Sequence, residues 1–232
     1  MSAFESVVPA LARALTARGF ETLTSVQSAV IAADVQDVDL IVSAQTGSGK
    51  TVAFGLTLAT TMLAGRDKLE PAGAPLALII APTRELAMQV RGELEWLFAP
   101  IGGKIASCVG GMDMRDERRA LNFGAHIVVG TPGRLVDHIR RESLDMQNLR
   151  AVVLDEADEM LNLGFREELE YILEGSPAER RTLMFSATMP RAIATLAKTY
   201  QRNAVRVNTV TAQKHHSDIE YRALVAAGSG GR

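Results

Sequence analysis

Short runs of consecutive apolar residues alternate along this chain with longer stretches where apolar positions recur every three or four residues. The short runs fall at 39–43, 76–81, 105–109, 127–130, 151–154, 182–185 and 205–207. Most are near-continuous in Val, Ile and Leu, as parallel strands covered on both faces require. Between them, 84–98 sets Leu86, Val90, Leu94 and Leu97 on one side and Glu85, Gln89, Glu93 and Glu95 elsewhere, which predicts an amphipathic helix. Further helices are expected after Gly49, Gly133, Gly164 and Pro190, and an apolar stripe of Val7, Val8, Leu11 and Leu15 marks another. The alternation predicts an α/β fold of βαβ units with right-handed crossovers: one parallel, twisted sheet of about seven strands with helices on both faces. Ligands bind such sheets beyond the carboxyl ends of the strands, where this sequence concentrates its Gly, Ser, Thr and acidic residues.

The stretch 65–75 is rich in charge, Gly and Pro and reads as an exposed loop. After about 207 the pattern fades; 208–232 reads as a linker or the start of a further domain, and its last residues, Gly-Ser-Gly-Gly-Arg, as a flexible end, native or appended. At 232 residues with 47 % hydrophobic content the chain can bury a sizeable core. Its net charge is −2, so any basic footprint for nucleic acid must be local. The single cysteine, Cys108, lies among apolar residues and is expected in the core, which suits a reducing compartment. No apolar run reaches the roughly 20 residues of a membrane span, and Glu5, Pro9 and Arg13 interrupt any signal-peptide pattern. A cytoplasmic, monomeric fragment is the expectation. His126, His138, His215 and His216 have no metal-ligand spacing with Cys108 and are not expected to be ligands.

Two stretches carry chemistry. Ala44-Gln45-Thr46-Gly47-Ser48-Gly49-Lys50-Thr51 follows an apolar strand and opens a helix. Helix N-termini attract anions, and Gly47 and Gly49 let the backbone curl round a phosphate. Lys50 would neutralise the β and γ phosphates and the Thr51 hydroxyl would ligate Mg²⁺. Ala44 stands where the usual phosphate loop starts with Gly. Downstream, Asp155 and Glu156 follow the apolar run 151–154. Two carboxylates at a strand's end can hold a metal ion and activate water; Asp155 is assigned to Mg²⁺ and Glu156 to the general base. Taken alone, the acidic pair could also be an ordinary helix N-terminus, the lesser reading of the two.

Asp155-Glu156-Ala157-Asp158 together with this loop resembles the DEAD-box RNA helicases. Further stretches match that family's motifs in order. Gly19 to Gln27 looks like the Q motif, with Phe4 as its upstream aromatic. Pro82-Thr83-Arg84-Glu85-Leu86-Ala87 looks like motif Ia. Gly110-Gly111 and Thr131-Pro132-Gly133-Arg134 look like the next two RNA-facing motifs, and Ser186-Ala187-Thr188 like motif III. The resemblance runs from Phe4 to about Val207 and implies a RecA-like domain at 1–207 that binds ATP with Mg²⁺ and single-stranded RNA. The Gln27 amide can read adenine's amino group and ring nitrogen, Phe20 can stack on the ring, and Thr24 helps hold the phosphate loop. Leu23 stands where the family usually has Pro, and a slightly less rigid turn is expected.

On the RNA side the resemblance assigns Pro82, Thr83, Arg84, Gly110, Gly111, Thr131, Pro132, Gly133 and Arg134 to phosphates and sugars. Such contacts carry no base sequence, and RNA is told from DNA by its 2′-hydroxyl. Arg84 could instead pair with an acid on its helix, and Thr131-Pro132-Gly133 could be a simple cap. Arg115, Arg118 and Arg119 are expected on a solvated helix face. Ser186 and Thr188 would bond to Asp158 and couple nucleotide state to closure.

Family members carry a second RecA-like domain with an arginine finger, typically worth ~10³ or more in rate. Residues 215–225 look like the lead into it, so the fragment alone is expected to bind nucleotide but be nearly inactive. Two other readings stand beside the helicase: an ATP-gated RNA clamp with little turnover, and another P-loop enzyme such as a DNA helicase or transporter ATPase. Intact Lys50 and Glu156 argue against the first, and Gln27 against the second.

Overall fold

The computed structural model describes residues 4–32 and 35–209. The sequence-predicted flexible end and the stretch 215–225, with His215 and His216, lie outside the described residues. The chain runs α1 (Pro9–Ala17), α2 (Ser25–Val30), β1 (Leu40–Ser43), α3 (Lys50–Leu63), β2 (Ala77–Ile80), α4 (Arg84–Phe98), β3 (Ile105–Cys108), α5 (Met114–Asn122), β4 (Ile127–Gly130), α6 (Pro132–Arg140), β5 (Ala151–Leu154), α7 (Ala157–Asn162), α8 (Arg166–Gly175), β6 (Arg181–Ser186), α9 (Arg191–Tyr200) and β7 (Val205–Asn208), with a 3-10 turn at Ala99–Ile101. All strand pairs are parallel, in one sheet of order β3-β4-β2-β5-β6-β1-β7.

Alternation along each strand sends neighbouring side chains to opposite faces. Ile79, Val129, Val153, Val42 and Phe185 join α1, α2, α3 and α4 in one apolar layer. Leu78, Ile80, Val128, Val152, Leu154 and Met184 pack under α6, α7, α8 and α9 in the other. Covering both faces explains why these strands are unbroken in apolar residues. Buried Asp39 ties three strands at the opposite end, accepting from the Thr182 N–H at 2.7 Å beside β1 and from the Arg202 N–H at 2.6 Å ahead of β7.

Strand limits differ from the sequence expectation by a residue at most. α6 begins at Pro132, one turn position ahead of Gly133, because Pro suits the first helical residue. α2, of 6 residues, is too short to show a period in the sequence; its start is a capping box in which Thr24 and Gln27 satisfy each other's backbone N–H groups.

Candidate functional site

The strand order sorts the motifs. At the carboxyl edge, the adjacent strands β3, β4 and β2 lead into Gly110-Gly111, Thr131 to Arg134, and Pro82 to Arg84. The next three, β5, β6 and β1, lead into Asp155 to Asp158, Ser186 to Thr188, and the glycine-rich loop. The expected RNA-facing and nucleotide-facing residues thus occupy contiguous halves of one edge. They meet between β2 and β5, at a cleft of about 330 Å³ lined by Thr46, Pro82, Thr83, Glu156, Asp158 and Ala187.

In the loop, Gly47 at φ +80° and Gly49 at φ +83° adopt the left-handed conformation. Ala44 is buried in the core at the end of β1 and donates its N–H to Ser186 O at 3.2 Å. Gln45, Thr46 and Gly47 are exposed; Ser48 turns back to donate its hydroxyl to Gln45 O at 2.7 Å. Gly49 caps α3, so the exposed loop lies over a helix N-terminus. Thr24 donates its hydroxyl to Ser48 O at 3.0 Å. Gln27 is fully buried; its Nε2 donates to Gly49 O at 3.2 Å and its Oε1 accepts from the Thr24 N–H at 3.0 Å. Half of the amide's capacity, one N–H and one lone pair, remains after these bonds. Phe20 is half-buried, with its ring 6.1 Å from that of Trp96, over which the Arg18 guanidinium lies at 4.9 Å.

Lys50 is buried, with Nζ 3.8 Å from Glu156 Oε1. Glu156 takes φ +51°, a left-handed conformation unusual for a residue with a side chain. Burial pushes the Asp155 carboxyl up to about 6, against the opposing pull of Lys50. Among the described residues, Lys50 Nζ and Asp155 Oδ1 are buried without a hydrogen-bond partner. An orphaned ammonium and an orphaned carboxylate oxygen at one helix mouth fit an anion and a hard cation together. The residues present therefore suit a phosphate group with Mg²⁺, the carboxylate and the Thr51 hydroxyl being hard oxygen donors.

Asp158 accepts from Thr188 and Ser186 joins the same turn, its hydroxyl donating to Thr188 O at 2.6 Å. In the other half, Thr83 caps α4, its hydroxyl accepting from the Leu86 N–H at 3.2 Å. Thr131 sits at the N-cap of α6 without a side-chain cap bond, ahead of buried Pro132 and half-buried Gly133. Among the described residues Arg84 pairs with no acid: its guanidinium points to Gly110 O at 3.5 Å and Met112 Sδ at 3.3 Å. Gly111, at φ +79°, leaves that guanidinium room, since a Cβ there would stand 2.7 Å from Nη1. Arg134 donates to Met112 O at 3.2 Å. Arg115, Arg118 and Arg119 are exposed on α5.

Sequence reasoning passes over Glu117 and weighs His138 only as a metal ligand. Both are buried, and with Cys108 their ligating atoms lie within 4.8 Å of one another. No spacing rule links them, because three different elements supply them; an acid on the inner face of an otherwise charged helix was the one available signal. Burial, reinforced by Glu117, pushes the Cys108 thiol up to about 12.

Residues 24–196 match the model of the DEAD/DEAH box helicase family. The chain is 43 % identical over 211 residues to the DEAD-box ATP-dependent RNA helicase CshA of Bacillus licheniformis, covering 90 % of this chain and 42 % of that protein. It is 42 % identical over 205 residues to the DEAD-box ATP-dependent RNA helicase 9 of Oryza sativa subsp. japonica, covering 88 % of this chain and 32 % of that protein. A crystal structure of a DEAD box protein from the hyperthermophile Methanococcus jannaschii superposes with a TM-score of 0.79 at 40 % identity, over 87 % of this chain and 54 % of that one. The chain therefore spans less than half the length of these curated relatives.

Proposed function

The chain belongs to the DEAD/DEAH box helicase family, and from that premise we propose that it is the ATP-binding lobe of an ATP-dependent RNA helicase. It binds ATP with Mg²⁺ on the β5, β6 and β1 half of the sheet edge and the backbone of single-stranded RNA on the other half. The observation that carries this reading is the buried, hydrogen-bond-orphaned Nζ of Lys50 at the mouth of α3, with the equally orphaned Asp155 Oδ1 in the same site. A phosphate with its cation satisfies both.

Each residue then has a task. The amides of Gln45 to Gly49 and the N-terminus of α3 cradle the phosphates, and Lys50 balances their charge. Thr51 and Asp155 would hold Mg²⁺, which supplies charge neutralisation at the phosphates when bound. Glu156 takes the proton of the attacking water. Phe20 stacks on adenine, and Gln27 offers its remaining N–H and lone pair to the adenine edge while Thr24 anchors the loop. Asp158, Ser186 and Thr188 link the site to closure. Thr83, Arg84, Gly111, Thr131 and Arg134 hold RNA phosphates and sugars without reading sequence, with Pro82, Gly110, Pro132 and Gly133 shaping their turns.

Alone, this lobe binds nucleotide and turns it over very slowly. Joined to a second RecA-like lobe that brings an arginine, it opens short duplexes by holding one strand. With its one thiol buried, it suits a reducing cytoplasm. Among the described residues no helix is long and apolar enough to cross a membrane.

Trp96 is the chain's one tryptophan and packs against Phe20, so its emission reports on the adenine platform. ATP with Mg²⁺ should change that emission saturably, GTP with Mg²⁺ much less, and Lys50→Ala should abolish both responses. Equal responses to ATP and GTP would remove the adenine assignment; no response to either would remove the nucleotide site.

A further inference from the structure

Beneath the Gly110-Gly111 loop, one buried carboxylate joins three elements. Glu117, on α5, is only 5 % exposed. Its Oε1 accepts from the Val109 N–H at 2.8 Å, at the end of β3 and immediately before the two glycines. Its Oε2 stands 2.7 Å from His138 Nε2, on α6, and 3.6 Å from the Arg134 guanidinium in the first turn of the same helix. A carboxylate has no hydrogen to give, so Nε2 carries one and donates it. The far nitrogen of His138 meets Ser143 Oγ at 2.9 Å, which fixes the ring. Arg134 then reaches Met112 O, and Met112 Sδ meets Arg84. The chain Arg84–Met112–Arg134–Glu117–His138 links the segments that follow β2, β3 and β4.

Burying an acid among donors is seldom the most stabilising choice; an apolar residue of similar volume often serves stability as well. What a buried network supplies is a fixed relation between the elements it joins. The same atoms with Cys108 Sγ have the outline of a metal cluster. Glu117 is already committed to two N–H donors, and the Arg134 guanidinium occupies the place of a cation.

We propose that Glu117 is a positioning residue for RNA binding: by holding the Val109 amide and Arg134 at once, it fixes the Gly110-Gly111 loop against the first turn of α6, so that both motifs meet one RNA backbone as a single surface. The proposal rests on the RNA-facing reading of this half of the edge. Glu117 itself touches no RNA. Glu117→Gln keeps an acceptor for Val109 but turns an N–H₂ group toward two donors. Glu117→Asp keeps the charge but is too short to reach both partners.

The test measures binding of a fluorescent oligouridylate to the two-lobe protein with a non-hydrolysable ATP analogue, across a salt series. Both variants should bind RNA roughly tenfold more weakly, and the slope of log K against log salt should fall by about 0.7, one single-strand phosphate contact. Their affinity for the ATP analogue should stay within about twofold of wild type, which a general loosening of the domain would not leave intact. RNA affinity and salt slope unchanged in Glu117→Asp, or in a folded Glu117→Gln, overturn the positioning role. If the wild-type protein itself fails to bind the oligonucleotide, the RNA-facing reading falls and takes this inference with it.

Discussion

Asp158 and Thr188 bridge α7 and the turn after β6: Asp158 Oδ2 accepts from both the backbone N–H of Thr188, at 2.9 Å, and its Oγ1, at 2.7 Å. The pair joins the segments that follow the adjacent strands β5 and β6, and Asp158 lines the cleft where the two halves of the sheet edge meet. Burial raises the Asp158 carboxyl, but the hydrogen bonds it accepts, led by those from Thr188, outweigh it and hold the group below the usual aspartate range. Its contribution to stability is thus present above the ordinary aspartate value and is lost as pH falls through the lower folded one.

Thr188→Ala removes one of these two bonds and keeps the other. ATP affinity of the lobe should change by less than about twofold, while duplex unwinding by the two-lobe protein should fall about tenfold or more, the loss of one hydrogen bond to a charged group. Thr188→Ser should restore it. A strand-displacement assay beside nucleotide titration separates the two effects.

Asp155 titrates in the opposite sense. Burial pushes its carboxyl from the ordinary aspartate range up to about 6, so between those pH values the folded state holds a proton that the unfolded chain has lost. Stability must fall as pH rises through that window, by up to about 3 kcal/mol from this group. Asp155→Asn should flatten that limb of the pH–stability curve for the ligand-free lobe while abolishing Mg²⁺-dependent nucleotide binding. Urea unfolding at pH 4 and pH 7 reads the difference: wild type should gain less or lose more than the variant on going to pH 7.

Glu156 stores backbone strain at the residue assigned as base. At φ +51° a Cβ is disfavoured by ~1 kcal/mol. Glu156→Gly should therefore be about 1 kcal/mol more stable than Glu156→Ala, although both lose the Lys50 contact and both should be inactive. Chemical denaturation of the two variants checks this; equal stability would mean that the loop relaxes freely.

Gly47 and Gly49 share a left-handed φ but not their surroundings. A Cβ at Gly47 meets nothing within 4 Å, whereas at Gly49 it would stand 2.5 Å from Gln27 Nε2. Gly47→Ala should cost about 1 kcal/mol of stability from backbone strain alone. Gly49→Ala should cost about 1–3 kcal/mol more, because buried Gln27 must give up its bond to Gly49 O, and should weaken ATP binding further. Thermal unfolding with and without ATP orders the two.

Much of this fold is written in local pattern. Parallel strands buried on both faces leave unbroken apolar runs, and the helix 84–98 shows its buried stripe of Val90, Leu94 and Leu97 as periodicity. The short α2 leaves no period to read, only its capping box. Nothing local in the sequence shows that Gln27 lies wholly buried against the glycine-rich loop with one N–H and one lone pair already used, because a side chain's direction depends on what packs over it. The Glu117–His138 pair was illegible for a different reason. Its members come from α5 and α6, and only the β3-β4 pairing in the sheet brings them together. Such a contact has no spacing in sequence. The motifs on strand ends were legible because each is a contiguous string; their division into two halves follows from strand order, which the string does not carry.

The most direct test is ATP turnover by the two-lobe protein, with and without single-stranded RNA, beside its Glu156→Gln form and this lobe alone. The account predicts strong stimulation of the two-lobe protein by RNA, loss of turnover in Glu156→Gln and near-silence from the isolated lobe. Turnover in Glu156→Gln equal to wild type, or RNA-independent turnover by this lobe as fast as the two-lobe protein, would contradict it.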